Sequence, residues 1–97
     1  MTFSIRLTDS AIGDLDFFRK KERRIISHGI ALFLTQDANV ETRRRKPLHP
    51  NRIAQWELRI EDYRVFYDFE QDDIVKVVAV GHKRHNDLYI RGRKVEL

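Results

Sequence analysis

The stretch WELRIEDYRVFYDF, residues 56–69, alternates apolar and polar side chains twice over. Trp56, Leu58 and Ile60 alternate with Glu57 and Arg59. Tyr63, Val65, Tyr67 and Phe69 then alternate with Arg64, Phe66 and Asp68. A period of two marks strands with one face buried, and the acidic pair Glu61-Asp62 between them is short enough for a tight hairpin turn. A bulge-free turn pairs Ile60 with Tyr63, Leu58 with Val65 and Trp56 with Tyr67 on the core side. The same register sets Arg59 directly opposite Arg64 on the other face.

The neighbouring segments follow from this hairpin. IVKVVAV, Ile74 to Val80, is apolar at successive positions and reads as a third, central strand after an acidic turn at Glu70 to Asp73. Upstream, FSIRL (residues 3–7) suits a short strand, and Thr8, Asp9 and Ser10 offer cap oxygens for a helix starting near Ala11. Ile12, Leu15 and Phe18 share one helical face. Ile26, Ile30, Phe33 and Leu34 form a second stripe, opposite Lys20, Lys21, Arg24 and His28. The pattern predicts two helices, or one helix bent near residues 19–22, ending around Gln36. DANVETRRRKPLHPNRIA (residues 37–54) reads as a connection in which Pro47 and Pro50 block regular structure. The fold class expected is α+β: a short N-terminal strand, two helices packed on a small antiparallel sheet, and a short C-terminal segment. Residues 1–97 form a single domain in this reading.

Composition narrows the function. Nineteen Lys and Arg stand against fifteen Asp and Glu, a formal charge of +4, and there is no cysteine. No apolar run approaches the ~20 residues of a bilayer span. The opening MTFSIRLTDS lacks the basic start, apolar middle and small-residue cleavage site of a signal peptide, so a soluble, cytoplasmic chain without membrane association is expected. The cations cluster, at Arg19 to Arg24, at Arg43-Arg44-Arg45-Lys46 and from Lys83 to Lys94. Clustering favours a polyanionic partner, nucleic acid first; the plainer reading is a solvated face that keeps the domain soluble.

Two features carry possible chemistry. Like charges opposite one another on a strand pair repel, and an anion held between Arg59 and Arg64 removes the conflict, because arginine forks bind phosphate bidentately. Equally, both side chains splay into water or pair with Glu57 and Asp68 along the same face. VGHKRHNDLYIRG (residues 80–92) is expected to leave the central strand at Gly81, where the absent side chain allows a turn or a close backbone approach. It carries His82, Lys83, Arg84, His85 and Tyr89: imidazoles that titrate near neutrality, cations suited to a phosphoryl group, and a ring able to stack on a base. No metal site is read from the sequence, since of His28, His49, His82 and His85 only the last two are close together. The serines Ser4, Ser10 and Ser27 lack a nucleophile context.

The strand with L-R, the YRVFY run, the acidic turn, the apolar strand, VGHKR and a tyrosine eight residues past the glycine together resemble the RelE/ParE superfamily of toxins from type II toxin–antitoxin pairs. The resemblance is strong over residues 56–89 and extends in outline along the chain. Its RelE-like branch implies a ribosome-dependent mRNA endonuclease that needs no metal or other cofactor. In that chemistry a 2′-hydroxyl attacks the neighbouring phosphate, leaving a cyclic phosphate and a free 5′-hydroxyl. Carried onto this chain, the resemblance makes Arg64 the phosphate stabiliser and Lys83 a second stabiliser or the proton donor. It makes Tyr89 a stacking or positioning residue and matches Arg59 to the upstream basic position.

Where the family has strand lysines, one of them a proposed base, this chain has Gln55 and Glu57. The proton acceptor is left among Glu57, His82 and His85. Lys20, Lys21, Arg24, Arg43, Arg44, Arg45, Lys46 and Arg84 would contact RNA backbone, a salt-sensitive interaction. The partners implied are a cognate antitoxin encoded nearby, the ribosome and mRNA. The competing reading on the same fold is a ParE-like inhibitor of DNA gyrase, or a non-catalytic binding module.

Overall fold

A computed structural model describes residues 1–97. The chain runs through β1 (Ser4–Leu7), α1 (Asp9–Asp16), α2 (Lys20–Leu34), β2 (Arg45–Pro47), β3 (Trp56–Ile60), β4 (Tyr63–Glu70), β5 (Ile74–Arg84), β6 (Asp87–Ile90) and β7 (Arg93–Val95). The fold is α+β, with both helices on one face of the sheet. Strand order is β2-β3-β4-β5-β6-β7, with antiparallel neighbours throughout. The β1 strand lies parallel to the first residues of β5.

The hairpin forms in the register that its alternation dictates. Ile60 faces Tyr63, Leu58 faces Val65, Trp56 faces Tyr67, and Arg59 stands opposite Arg64. The core-side residues of the hairpin join Val75, Val77 and Val80 beneath Ile26, Ile30 and Leu34 of α2. Trp56 stacks on Tyr67 at 6.0 Å, and the buried Tyr67 hydroxyl donates to Ala38 O at 2.8 Å. The helices are two rather than one bent rod, interrupted at Phe17 to Arg19. The first begins at Asp9, slightly earlier than its apolar pattern, because Thr8 Oγ1 accepts the Ala11 N–H at 3.1 Å. The second begins where Glu22 reaches back to the Arg19 N–H at 3.1 Å, and it ends at Leu34.

Three expectations change. The connection 37–54 is not wholly irregular: Arg45–Pro47 pairs with β3 as an edge strand, a place where a proline's missing N–H costs nothing. The central strand does not end at Gly81 but runs on to Arg84. Gly81 serves the close approach instead, since a Cβ there would lie 2.4 Å from Tyr89 O of the adjacent strand. The C-terminal segment also forms strands of its own, β6 and β7. It turns at His85-Asn86 (φ 52° and 70°) and again at Arg91-Gly92 (φ 50° and 75°), two-residue loops with both φ positive that match strand twist.

The face away from the helices is partly covered as well. Ala54, Phe66, Ala79 and Leu88 form a small second cluster, closed over by Leu48, Ile53, Ile90 and Val95. Asn51 folds the covering loop by accepting from the Ile53 and Ala54 N–H groups at 2.7 and 3.0 Å.

The pleat of β5 contains an irregularity. Phe66 faces Ala79 but Tyr67 faces Val77, so Val78 is an extra residue, a β-bulge. Because of it, Val77 and Val80 both point into the main core. Beyond the bulge β5 exchanges neighbours, β1 covering Ile74–Val77 and β6 covering His82–Arg84. Helix α1 fills the gap between them. The buried Asp14 carboxylate accepts from the Val80 N–H at 3.0 Å through Oδ2 and from Arg91 Nε at 2.7 Å through Oδ1. Arg91 also donates to Ser10 O at 3.0 Å. Asp14→Ala strands the Val80 N–H and frees the β6–β7 turn, so a loss of about 2–4 kcal/mol is expected in urea denaturation. Faster hydrogen exchange at the Val80 amide should accompany it, with partial recovery in Asp14→Asn. A loss below about 1 kcal/mol would show that this joint is not a structural determinant.

Candidate functional site

The break between the helices, the β3–β4 turn and the end of β5 enclose an open cleft of about 720 Å³. Phe17, Phe18 and Glu22 come from the helices, Glu61, Asp62 and Tyr63 from the hairpin, and His82, Lys83, Arg84, His85, Tyr89 and Gly92 from the C-terminal strands and their turns. Its wall is aromatic. Phe18 meets Tyr63 edge-on at 5.5 Å and His82 at 5.9 Å, while His82 stacks on Tyr89 at 5.6 Å. The register explains this grouping, since Tyr63 and Tyr89 flank His82 on neighbouring strands and share its face.

Polar groups are fixed on that wall. Tyr63 donates its hydroxyl proton to Glu22 Oε2 at 3.0 Å, while Glu22 Oε1 holds the first turn of α2. Burial, and then the Glu22 carboxylate, push the Tyr63 phenol up to about 12. The Lys83 N–H donates to Asp62 O at 2.7 Å, tying β5 to the hairpin turn.

The expected site residues divide into two groups. Lys83, Arg84, His85 and Tyr89 line the cleft, but Arg59 and Arg64 do not. The arginine pair lies across the sheet around the buried Glu57, whose carboxylate is 3.6 Å from Arg59 Nε and 4.0 Å from Arg64 Nε. Like-charge repulsion on the strand pair is thus relieved by a carboxylate. Asp68 takes no part, accepting instead from the Gln55 N–H at 2.7 Å. Arg64 is largely enclosed and donates through Nη1 to Glu61 O and Tyr63 O, both at 2.9 Å, so it supports the hairpin turn from behind. Burial draws its pKa down, Glu57 opposes this and Arg59 adds to it; a guanidinium stays charged regardless.

The other basic residues also differ in what they do. Lys20, Lys21 and Arg24 are exposed on α2, as are Arg43, Lys46 and Arg84 elsewhere. Arg44 lies over the Phe33 ring at 4.5 Å. Arg45 is used structurally, donating to Val40 O and Phe33 O at 2.9 Å each. Sequence reasoning placed Tyr63 in the core and Glu22 nowhere. Glu22 follows Arg19 by three residues at a helix start, a capping signal that marks its place but not its reach to Tyr63.

This fold is shared with a solved toxin–antitoxin structure. The RelBE2 complex of Mycobacterium tuberculosis matches with a TM-score of 0.70 at 21% identity, over 86% of this chain and 100% of that one. No curated protein matches the chain. The family model of the ParE toxin of type II toxin–antitoxin systems matches residues 5–87, and the chain belongs to that family, within the RelE/ParE superfamily.

The Tyr63 contact has a pH signature. The phenol ionises near pH 10 in the unfolded chain and near about 12 in the folded one. Stability is therefore full below pH 10 and declines as the pH rises towards 12. Tyr67, raised further by burial, adds to the decline. In urea titrations Tyr63→Phe should lose about 1 kcal/mol at neutral pH and fall less steeply on the alkaline side. An unchanged alkaline slope would contradict the Tyr63–Glu22 contact.

Proposed function

We propose that this toxin is a metal-independent endoribonuclease that cuts mRNA on the ribosome. The observation that supports this reading best is the cleft itself, which gathers two imidazoles and two cations beside open aromatic surface. Of the three candidates for proton acceptor, Glu57 lies between two arginines on the far face. His82 is packed into the aromatic wall. His85, exposed at the β5–β6 turn, is left to take the proton from the 2′-hydroxyl. The freed oxygen bonds to phosphorus and the bond to the 5′-oxygen breaks. Arg84 and Lys83 stabilise the charge that develops, and Lys83 returns a proton to the leaving 5′-oxygen. Tyr89 positions a base. Arg64 holds the turn from which Glu61 and Asp62 reach the cleft, and Arg59, half exposed, contacts phosphate along the far face.

Lys20, Lys21, Arg24, Arg43, Arg44 and Lys46 would hold ribosomal RNA backbone without sequence preference. A cognate antitoxin with an acidic segment is the expected partner for so basic a surface, and it acts in the cytoplasm where the ribosomes are. A second reading has two observations in its favour. The matching family model is that of ParE toxins, and the carried-over arginine Arg64 is neutralised by Glu57. This favours an inhibitor that binds its target, gyrase or another protein, without cutting RNA.

Cleavage of ribosome-bound mRNA separates the two when run beside a gyrase supercoiling assay. His85→Ala and Lys83→Ala are each expected to slow cutting by about 10²–10⁴-fold with unchanged folding. No cutting by wild type, with gyrase inhibited equally by both variants, would establish the second reading.

A further inference from the structure

His82 is the one cleft imidazole whose ring is fixed on several sides. Tyr89 stacks on it with planes 22° apart, Phe18 closes one edge at 80°, and Tyr63 and Tyr89 occupy the positions beside it on neighbouring strands. Its Nδ1 is enclosed and has no hydrogen-bond partner. The ring nevertheless lines the cleft, so Nε2 is the nitrogen left to meet what binds there.

A neutral imidazole carries a single N–H. An N–H on the enclosed Nδ1 is an unmet buried donor, a cost that biases the tautomer ratio by roughly five- to a hundredfold. Protonation of the ring would put a donor at that same enclosed position, whereas a bare Nδ1 lone pair is the cheaper group to bury. We propose that His82 presents Nε2–H to the cleft as a fixed hydrogen-bond donor to a phosphate oxygen, and that it is not the proton acceptor. The site takes a phosphate mono- or diester, with Arg84 at its rim and Lys83 leaving β5 on the side of Leu88. This assignment rests on the RNA-cleaving reading for its role in catalysis, but not for the tautomer or for phosphate binding.

Long-range ¹H–¹⁵N correlation spectra of the wild-type chain test the first point, with titrations of inorganic phosphate and a 3′-nucleoside monophosphate testing the second. The expected result is the Nε2–H tautomer, with phosphate shifting the His82 resonances. His82→Gln places an amide N–H near the Nε2 position and should keep 3′-nucleotide binding within about threefold. His82→Asn mimics Nδ1 instead and should lose about tenfold or more.

An Nδ1–H tautomer, wild type that binds neither phosphate, or a Gln variant as impaired as the Asn variant while both fold normally would each overturn the proposal. If wild type binds phosphate through Nε2–H yet cuts no RNA, the ribonuclease reading fails and the His82 assignment stands.

Discussion

One buried carboxylate settles how the two ends of this chain meet. The long strand β5 exchanges its neighbour β1 for β6 part-way along, and between the two that edge of its backbone has no strand to bond with. Asp14 covers that gap from α1, accepting the orphaned Val80 N–H, and is itself matched by Arg91 from the last strand turn. Desolvating a carboxylate is costly unless its lone pairs are met by good donors, and here both oxygens are met. The contact reaches further than its two residues. Arg91 sits in the loop that follows Tyr89, so the clamp on α1 also keeps the C-terminal hairpin in place and Tyr89 against His82.

Part of this architecture is legible from residues alone. The β3–β4 register was, down to the Arg59–Arg64 pairing, because strict alternation leaves one way to bury Trp56, Leu58, Val65 and Tyr67 together. The second helix was legible from its stripe. In the first the stripe misleads, since Ile12 is exposed, Phe18 lies past the helix end, and Ala11 and Asp14 are the positions that the sheet buries. The edge strand β2 was hidden by Pro47, which argues against a strand everywhere but at a margin. The last two strands were hidden by their length: DLYI and RKV, four and three residues long, are too short to show a period.

The least legible feature decides the site. Val77, Val78, Ala79 and Val80 are apolar on either side of the strand, so nothing in their pattern reveals the bulge at Val78. An unbulged β5 would put Lys83 on the helix face and His82 on the other. The extra residue reverses that parity, turning His82 towards Phe18, Tyr63 and Tyr89 and aligning Lys83 with Leu88 of the opposite face. For this reason His82 and Tyr89 stand on the helix side, away from the arginine pair, and the single phosphate site expected there becomes two clusters. Around the arginines, the explanation that needed no ligand has the stronger geometry, because Glu57 is buried between them.

The cleft draws its walls from residues 17–22, 61–63 and 82–92, the beginning, middle and end of the chain. During synthesis, the hairpin and the helices that cover it can gather a core while the C-terminal residues are still inside the ribosome. A chain interrupted before His82 thus owns much of its hydrophobic interior but lacks the His82–Tyr89 half of the cleft wall. Pairing of β5 with β6 and the Asp14–Arg91 contact join segments far apart in sequence, the kind of closure that comes late in folding. If the cleft is the acting surface, as proposed above, harmlessness before completion is a property of the topology: that surface exists only once the last strands have closed against the first helix.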